Sequence, residues 1–185
     1  MKNLKITSTG AIGLGIAVAV AGLAIYSGAY NVAADDPHSR AMYWLTSTVR
    51  ARSIAARASN IKIPLDLSDR KRIASGAAEY DEMCSGCHLA PGLEKTEIGK
   101  GLYPSAPELS SGSDLTPAEQ FWVLKHGIKM TGMPAWGHTH DDDLLWDIVA
   151  FVQKLPTLSP EQYQTIVKST AASHDEMMKH EGTKD

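Results

Sequence analysis

Five consecutive residues, Cys84-Ser85-Gly86-Cys87-His88, restrict this chain more than any other feature. Two thiols three residues apart lie on one helical turn, and a histidine follows at once. Cys-x-x-Cys-His is the pattern by which a polypeptide takes up a c-type haem. Both sulfurs can reach the vinyl groups of one porphyrin and form thioethers, while the histidine is placed under the iron. Other uses of a cysteine pair ask for partners that the sequence lacks. Zinc needs two further Cys or His ligands at similar spacing, and the chain has only these two cysteines. A thioredoxin-like dithiol belongs in a βαβ setting, and no such alternation is present. One motif in 185 residues implies one covalently bound haem.

The N-terminus carries a second constraint. No charged residue occurs from Ile6 to Ala34, and Ala11 to Tyr30 is mostly Ala, Val, Ile, Leu and Gly. That matches the ~20 residues a helix needs to span a bilayer. Lys2 and Lys5 precede the run and Asp35 and Asp36 follow it, so the basic flank is expected to stay cytoplasmic. Tyr26 and Tyr30 fall where an outer aromatic belt would lie. A cleaved signal peptide is the competing reading, with Val32-Ala33-Ala34 as its small-residue cleavage site. The apolar run exceeds the ~7–15 residues of a signal core, which favours an uncleaved anchor over residues 1–34. Either way residues beyond 34 are exported. The expected location is the inner membrane, single-pass, with the haem domain facing the periplasm, or the soluble periplasm after cleavage.

Residues 35–65 read as a basic arm, a helix followed by an extended linker. Arg40, Arg50, Arg52, Arg57 and Lys62 outnumber Asp35 and Asp36, a net charge of about +3. Met42, Leu45 and Val49 recur at helical spacing, which suits a solvated stalk, a helix resting on anionic headgroups or one docking on an acidic partner. Ile61-Lys62-Ile63-Pro64 reads as extended chain, since the residue before proline is driven from α geometry.

Over 66–157 the periodicity predicts helices. Ile73, Ala77, Tyr80 and Met83 share one face of a helix over 68–84. Gly76 inside it costs roughly 1 kcal/mol against Ala and suggests a close helix crossing. Thr116-Pro117-Ala118-Glu119 is a capping box with proline at the first position, opening a helix that stops at Gly127. Asp141, Asp142 and Asp143 suit the positive end of a third helix, whose apolar stripe is Leu145, Ile148, Val152 and Leu155 and which Pro156 ends. Ser159-Pro160-Glu161-Gln162 repeats the capping signature and predicts a short fourth helix to about Lys168, with a polar, frayed tail from Ala171. The fold class is all-α, three to four helices around one haem after a transmembrane helix. The segment 158–185 lies beyond the haem domain.

These residues together resemble class I c-type cytochromes. Gly76 and Tyr80 precede Cys84 by eight and four positions, the family's arrangement of crossing glycine and aromatic. Ile148-Val149-Ala150-Phe151-Val152 is similar to its C-terminal helix, and Gly132-Met133-Pro134-Ala135 to its methionine loop. The resemblance covers roughly residues 68–156 and not the anchor, arm or tail. It implies the cytochrome c fold, His88 and Met133 as the two iron ligands, the Pro91 carbonyl as acceptor for the second nitrogen of His88, and Tyr103 near the haem edge. Met130, three residues before Met133, and His126, His138 and His140 are the alternatives for the sixth position. Methionine is more often packing than ligand, so one of the two methionines is expected to be core filler.

A His/Met pair raises the reduction potential relative to bis-histidine and leaves no position for substrate. The reading is a membrane-tethered monohaem electron carrier, not an enzyme, with redox proteins of the periplasm or inner membrane as partners and no small-molecule substrate. Two other classes stay open: a cytochrome c subunit of a larger oxidase or dehydrogenase, and a haem enzyme or sensor with a displaceable methionine. A formal net charge of −3 speaks against nucleic acid. Over 66–157, fourteen acidic side chains stand against eight basic ones, and Asp141 to Asp143, close in sequence to the methionine loop, form a candidate acidic rim for steering a partner.

Overall fold

The computed structural model describes residues 8–181, with side chains over 10–170. Every regular element among them is helical. The chain divides into two compact units, Met1–Asp36 and Pro37–Asp185.

The first unit is built on α1, Ser8–Tyr26, 19 residues without a charge. It stops four residues before the expected Tyr30. Ser27 turns its hydroxyl back to the Ala24 carbonyl, and Gly28 takes φ +67°, a left-handed conformation that ends helices at little cost to glycine. At ~1.5 Å per residue α1 is about 28 Å long, just under the ~30 Å hydrocarbon thickness. Among the described residues no helix is long and apolar enough to cross a membrane. The apolar side chains from Ile12 to Ile25 are nonetheless 60–80% exposed, on every side of the helix. Lys2 and Lys5 lie outside the described residues.

The second unit opens with α2, Arg40–Ala58, capped by the Ser39 hydroxyl on the Met42 amide. Ile54 and Ala58 are buried, and α2 packs on α6, Pro117–His126. The basic arm is thus part of the second unit, and 61–64 follow without regular structure.

Two helices carry the core. α3 runs Arg70–Met83 and α7 runs Asp142–Lys154. Asp69, not Ser68, caps α3, its carboxylate 2.7 Å from the Lys71 amide. The helices cross at Gly76, where an added Cβ would stand 1.9 Å from the Asp147 carbonyl oxygen. Glycine is there for close approach, as its place in a helical pattern suggested. Around the crossing, Ala77, Tyr80, Leu145, Val149 and Phe151 are fully buried. The Phe121 and Trp146 rings stack at 4.3 Å between α6 and α7. Arg72 ties the pair from outside, through Asp147 at 2.7 Å and Asp66 at 2.9 Å.

The capping signals are realised in detail. Thr116 and Glu119 exchange both bonds of the capping box, and Asp141 accepts from the Leu144 amide. Asp142 binds Lys125 at 2.6 Å and Asp143 lies 3.5 Å from Arg72. Each carboxylate of the expected acidic rim therefore has a structural partner, so removing all three would uncap α7 as well as change surface charge.

The last helix departs from expectation. α8 runs Pro160–Glu181, 22 residues, well past Lys168, because neither glycine nor proline interrupts the sequence between Pro160 and Gly182. Its Tyr163 is fully buried against Phe151, with ring centroids 6.2 Å apart. The second unit therefore includes both the arm and the start of the C-terminal segment.

Candidate functional site

The Cys-x-x-Cys-His segment forms a helical turn of its own. Cys84 caps the end of α3, and α4, Ser85–His88, follows from it directly. The His88 amide still bonds to the Cys84 carbonyl at 2.9 Å, which keeps the two thiols and the imidazole on one turn. Leu89 then adopts φ +62°, unusual for a residue with a Cβ. Its carbonyl is held by the hydroxyl of buried Tyr80, so the chain leaves the motif in a fixed direction. The tyrosine four residues before the motif thus has a mechanical task, and burial raises its pKa.

A short helix braces the motif from the other side. In α5, Glu97–Gly101, the N-cap Thr96 hydroxyl donates to the Gly86 carbonyl at 2.6 Å and accepts from the Gly99 amide at 3.1 Å. A Cβ on Gly99 would come within 2.9 Å of that same carbonyl. Thr96 and Gly99 therefore hold the peptide between the two cysteines. A third support is Tyr163, whose hydroxyl donates to Asp81, one turn before Cys84. The Ser85 hydroxyl binds the Asp81 carbonyl at 2.7 Å. Thr96 could have been suspected as a helix cap; Tyr163 and Asp81 are 82 residues apart in sequence and carry no local signal.

His88 is half-buried, and burial holds its pKa below the usual histidine value despite a bond to a backbone carbonyl. That carbonyl belongs to Pro107, 2.9 Å from Nδ1, and not to Pro91 as the resemblance implied. The loop 102–108 folds back over the motif, whereas Pro91 follows the sharp turn at Leu89. A carbonyl can only accept, so Nδ1 carries the proton and Nε2 keeps its lone pair for a metal. Cys84 is buried, its thiol pushed up to about 12 by desolvation, and neither cysteine is in a disulfide.

The candidates for the opposite ligand separate clearly. Met133 is partly buried and packs against the core that contains Cys84. Met130 is 96% exposed with φ +59°; it is not the core filler expected of the second methionine. His126 and His138 are exposed, the former against the Trp122 ring. His140 is engaged by Thr139 and the edge of Trp136.

The methionine loop is built to hold its place. Ile128 and Met133 pair through the backbone at 3.2 Å, and Thr131 bridges the Ile128 carbonyl and the Met133 amide. Gly127, at φ +64°, lets the loop lie against the end of α6, since a Cβ would meet the Met133 oxygen at 2.8 Å. Tyr103 is half-buried and elsewhere engaged: its hydroxyl accepts from the His38 amide at 2.8 Å, and the two rings meet edge to face at 5.3 Å. It fastens the start of the arm to the 102–108 loop.

Two thiols, an imidazole with Nε2 available, and a thioether on the same core fit a c-type haem. The donors match its chemistry, and no group of three or more His, Cys, Asp or Glu suited to a lone metal ion occurs among the described residues. Residues 71–152 match the family model described as cytochrome C oxidase, cbb3-type, subunit III. No curated protein and no solved structure matches the chain.

Proposed function

We propose, from the premise that residues 71–152 form a c-type cytochrome domain with covalently bound haem c, that this protein is a monohaem electron carrier with His88 and Met133 as axial ligands, tethered at the periplasmic face of the inner membrane. When bound, haem c supplies a one-electron ferric/ferrous couple. The chain fixes its attachment through Cys84 and Cys87, orients His88 through Pro107, and presents a thioether from a loop braced by Gly127 and Thr131. Were His88 and Met133 both to hold the iron, the haem would exchange electrons and not bind a substrate. Buried Leu145, Ile148, Val149 and Phe151 keep water from the core, which limits reorganisation when charge changes.

The observation that carries the ligand assignment is the contrast between Met133, packed on the core, and Met130, almost fully exposed. Met133→Ala should abolish the near-infrared sulfur-to-ferric-iron band and lower the potential by on the order of 0.1 V or more, within the ~0.8 V that axial ligands can span. Met130→Ala should leave both in place. The opposite pattern would transfer the role to Met130, and absence of the band from the unsubstituted ferric protein would reject methionine ligation.

Support for the tether is the uncharged run over 6–34, with Lys2 and Lys5 before it, and a helix whose apolar residues are exposed all round, a pattern that water does not favour. The mature protein should have a mass that includes residues 1–34 plus one haem, and alkaline carbonate should not strip it from membranes. A mature N-terminus at Asp35 would make the protein soluble and overturn the tether while leaving the haem assignment intact.

The description of the matching family favours a second reading, in which the cytochrome is a subunit of a larger terminal-oxidase assembly. Co-purification of oxidase activity with the solubilised protein would select it over an independent carrier.

A further inference from the structure

α2 has two apolar faces, and only one is used. Ile54 and Ala58 are buried, 4% exposed each, in the contact with α6. Met42, Leu45 and Val49 recur at i, i+3 and i+7 on the opposite side, and they remain 38%, 49% and 59% exposed. Trp44, 67% exposed, and Tyr43, 50% exposed, stand in the same stretch. The charges of α2 are of one sign, Arg40, Arg50, Arg52 and Arg57, without a single carboxylate in its 19 residues. The ion pairs among the described residues lie on Arg72, Lys95 and Lys125, none on α2.

We propose that this outward face of α2 lies on an anionic lipid surface, with Met42, Leu45 and Val49 in the headgroup boundary and Arg52, which flanks them, on the phosphates. Exposed Trp and Tyr beside arginines are the composition of an interfacial helix. The sign of charge separates the faces of the unit: α2 is attracted to anionic headgroups, while residues 66–157, with fourteen acids against eight bases, are repelled into the aqueous phase. The chain also keeps α2 near a bilayer. Residues 27–39 link it to α1, and ~3.5 Å per residue limits their reach to about 45 Å. This deepens the tether reading and rests on it for the native setting. Its consequence is orientation: because α2 is packed on α6, the lipid contact would fix which side of the cytochrome faces a partner.

The test separates the surface contact from the tether. A protease site placed between residues 28 and 36 of the holoprotein releases the compact unit beginning near Pro37. That unit should co-float with vesicles containing 30 mol% phosphatidylglycerol, fail to float with pure phosphatidylcholine, and dissociate in high salt. Arg52→Gln should reduce partitioning about fivefold, the effect of one basic residue near an anionic surface. Leu45→Ser with Val49→Ser should abolish it, with the haem spectrum unchanged in every variant. Absence of flotation on anionic vesicles would overturn the proposal, as would a soluble dimer that the Leu45 and Val49 variants dissociate. Carbonate extraction of the uncut chain tests the tether independently of either result.

Discussion

Replacing both Cys84 and Cys87 with alanine should remove haem-linked peroxidase stain from the polypeptide on denaturing gels and leave a domain without a stable fold. Cys84 is buried in the core beside Tyr80 and the α3–α7 crossing, so the attached group belongs to that core. Loss of the thioethers would also free a haem otherwise retained only by His88 and its opposite ligand. Small domains depend on such fixed groups because their own apolar burial leaves a net stability of only ~5–15 kcal/mol. Stain that survived the double substitution would reject covalent attachment. The single variants should be less severe, since one thioether still localises the group and His88 keeps its Pro107 bond.

Gly76→Ala should have the next largest effect. A methyl group 1.9 Å from the Asp147 oxygen, 2.4 Å from its carbonyl carbon and 2.8 Å from the Ile148 nitrogen meets backbone, which cannot rotate aside as a side chain can. The two helices must separate, and the buried contacts of Ala77, Tyr80, Ile148 and Phe151 loosen together. Overpacking of this kind costs ~1–3 kcal/mol, occasionally more, and the closeness of the approach places this site at the upper end. A fall in Tm of about 10 °C or more is expected, measured by circular dichroism on the holoprotein. Gly101→Ala is the control, since a Cβ there meets nothing within 4 Å, and its Tm should stay within a few degrees. An unchanged or raised Tm in Gly76→Ala would mean that the crossing has room for a methyl group, leaving only alanine's gain in helix propensity.

The legible parts of this protein share a physical property: their signals are local. Cys-x-x-Cys-His is five residues, the Thr116 box four, and the Asp141 cap and the Gly76 spacing each fit within a few turns of one helix. Those readings placed the helical turn of the Cys84–His88 motif, the helix starts of α6 and α7, and the crossing. What could not be read depends on contacts distant in sequence. The acceptor for His88 is 19 residues away and was assigned by resemblance to Pro91, which the turn at Leu89 carries elsewhere. Tyr103 meets His38 across 65 residues, and Asp81 meets Tyr163 across 82. The exposed position of Met130 depends on a loop conformation with φ +59° that no spacing rule encodes. Length was misjudged at both terminal helices for opposite reasons: α1 ends early at Ser27-Gly28, and α8 runs on because nothing stops it.

Tyr163 also bears on what can be moved as a module. The family match ends at residue 152, yet Leu155 and Tyr163 are fully buried, and at the other end Ile54 and Ala58 of α2 cover α6. A graft cut at the matched boundaries would leave Phe151 bare on one side and Asp81 without its hydroxyl partner, next to the turn that carries both thiols. The transferable unit is therefore the compact one that begins at Pro37 and carries α8 with it. Joining this unit to another protein requires the foreign chain to enter before Pro37 and, at the other end, beyond Tyr163.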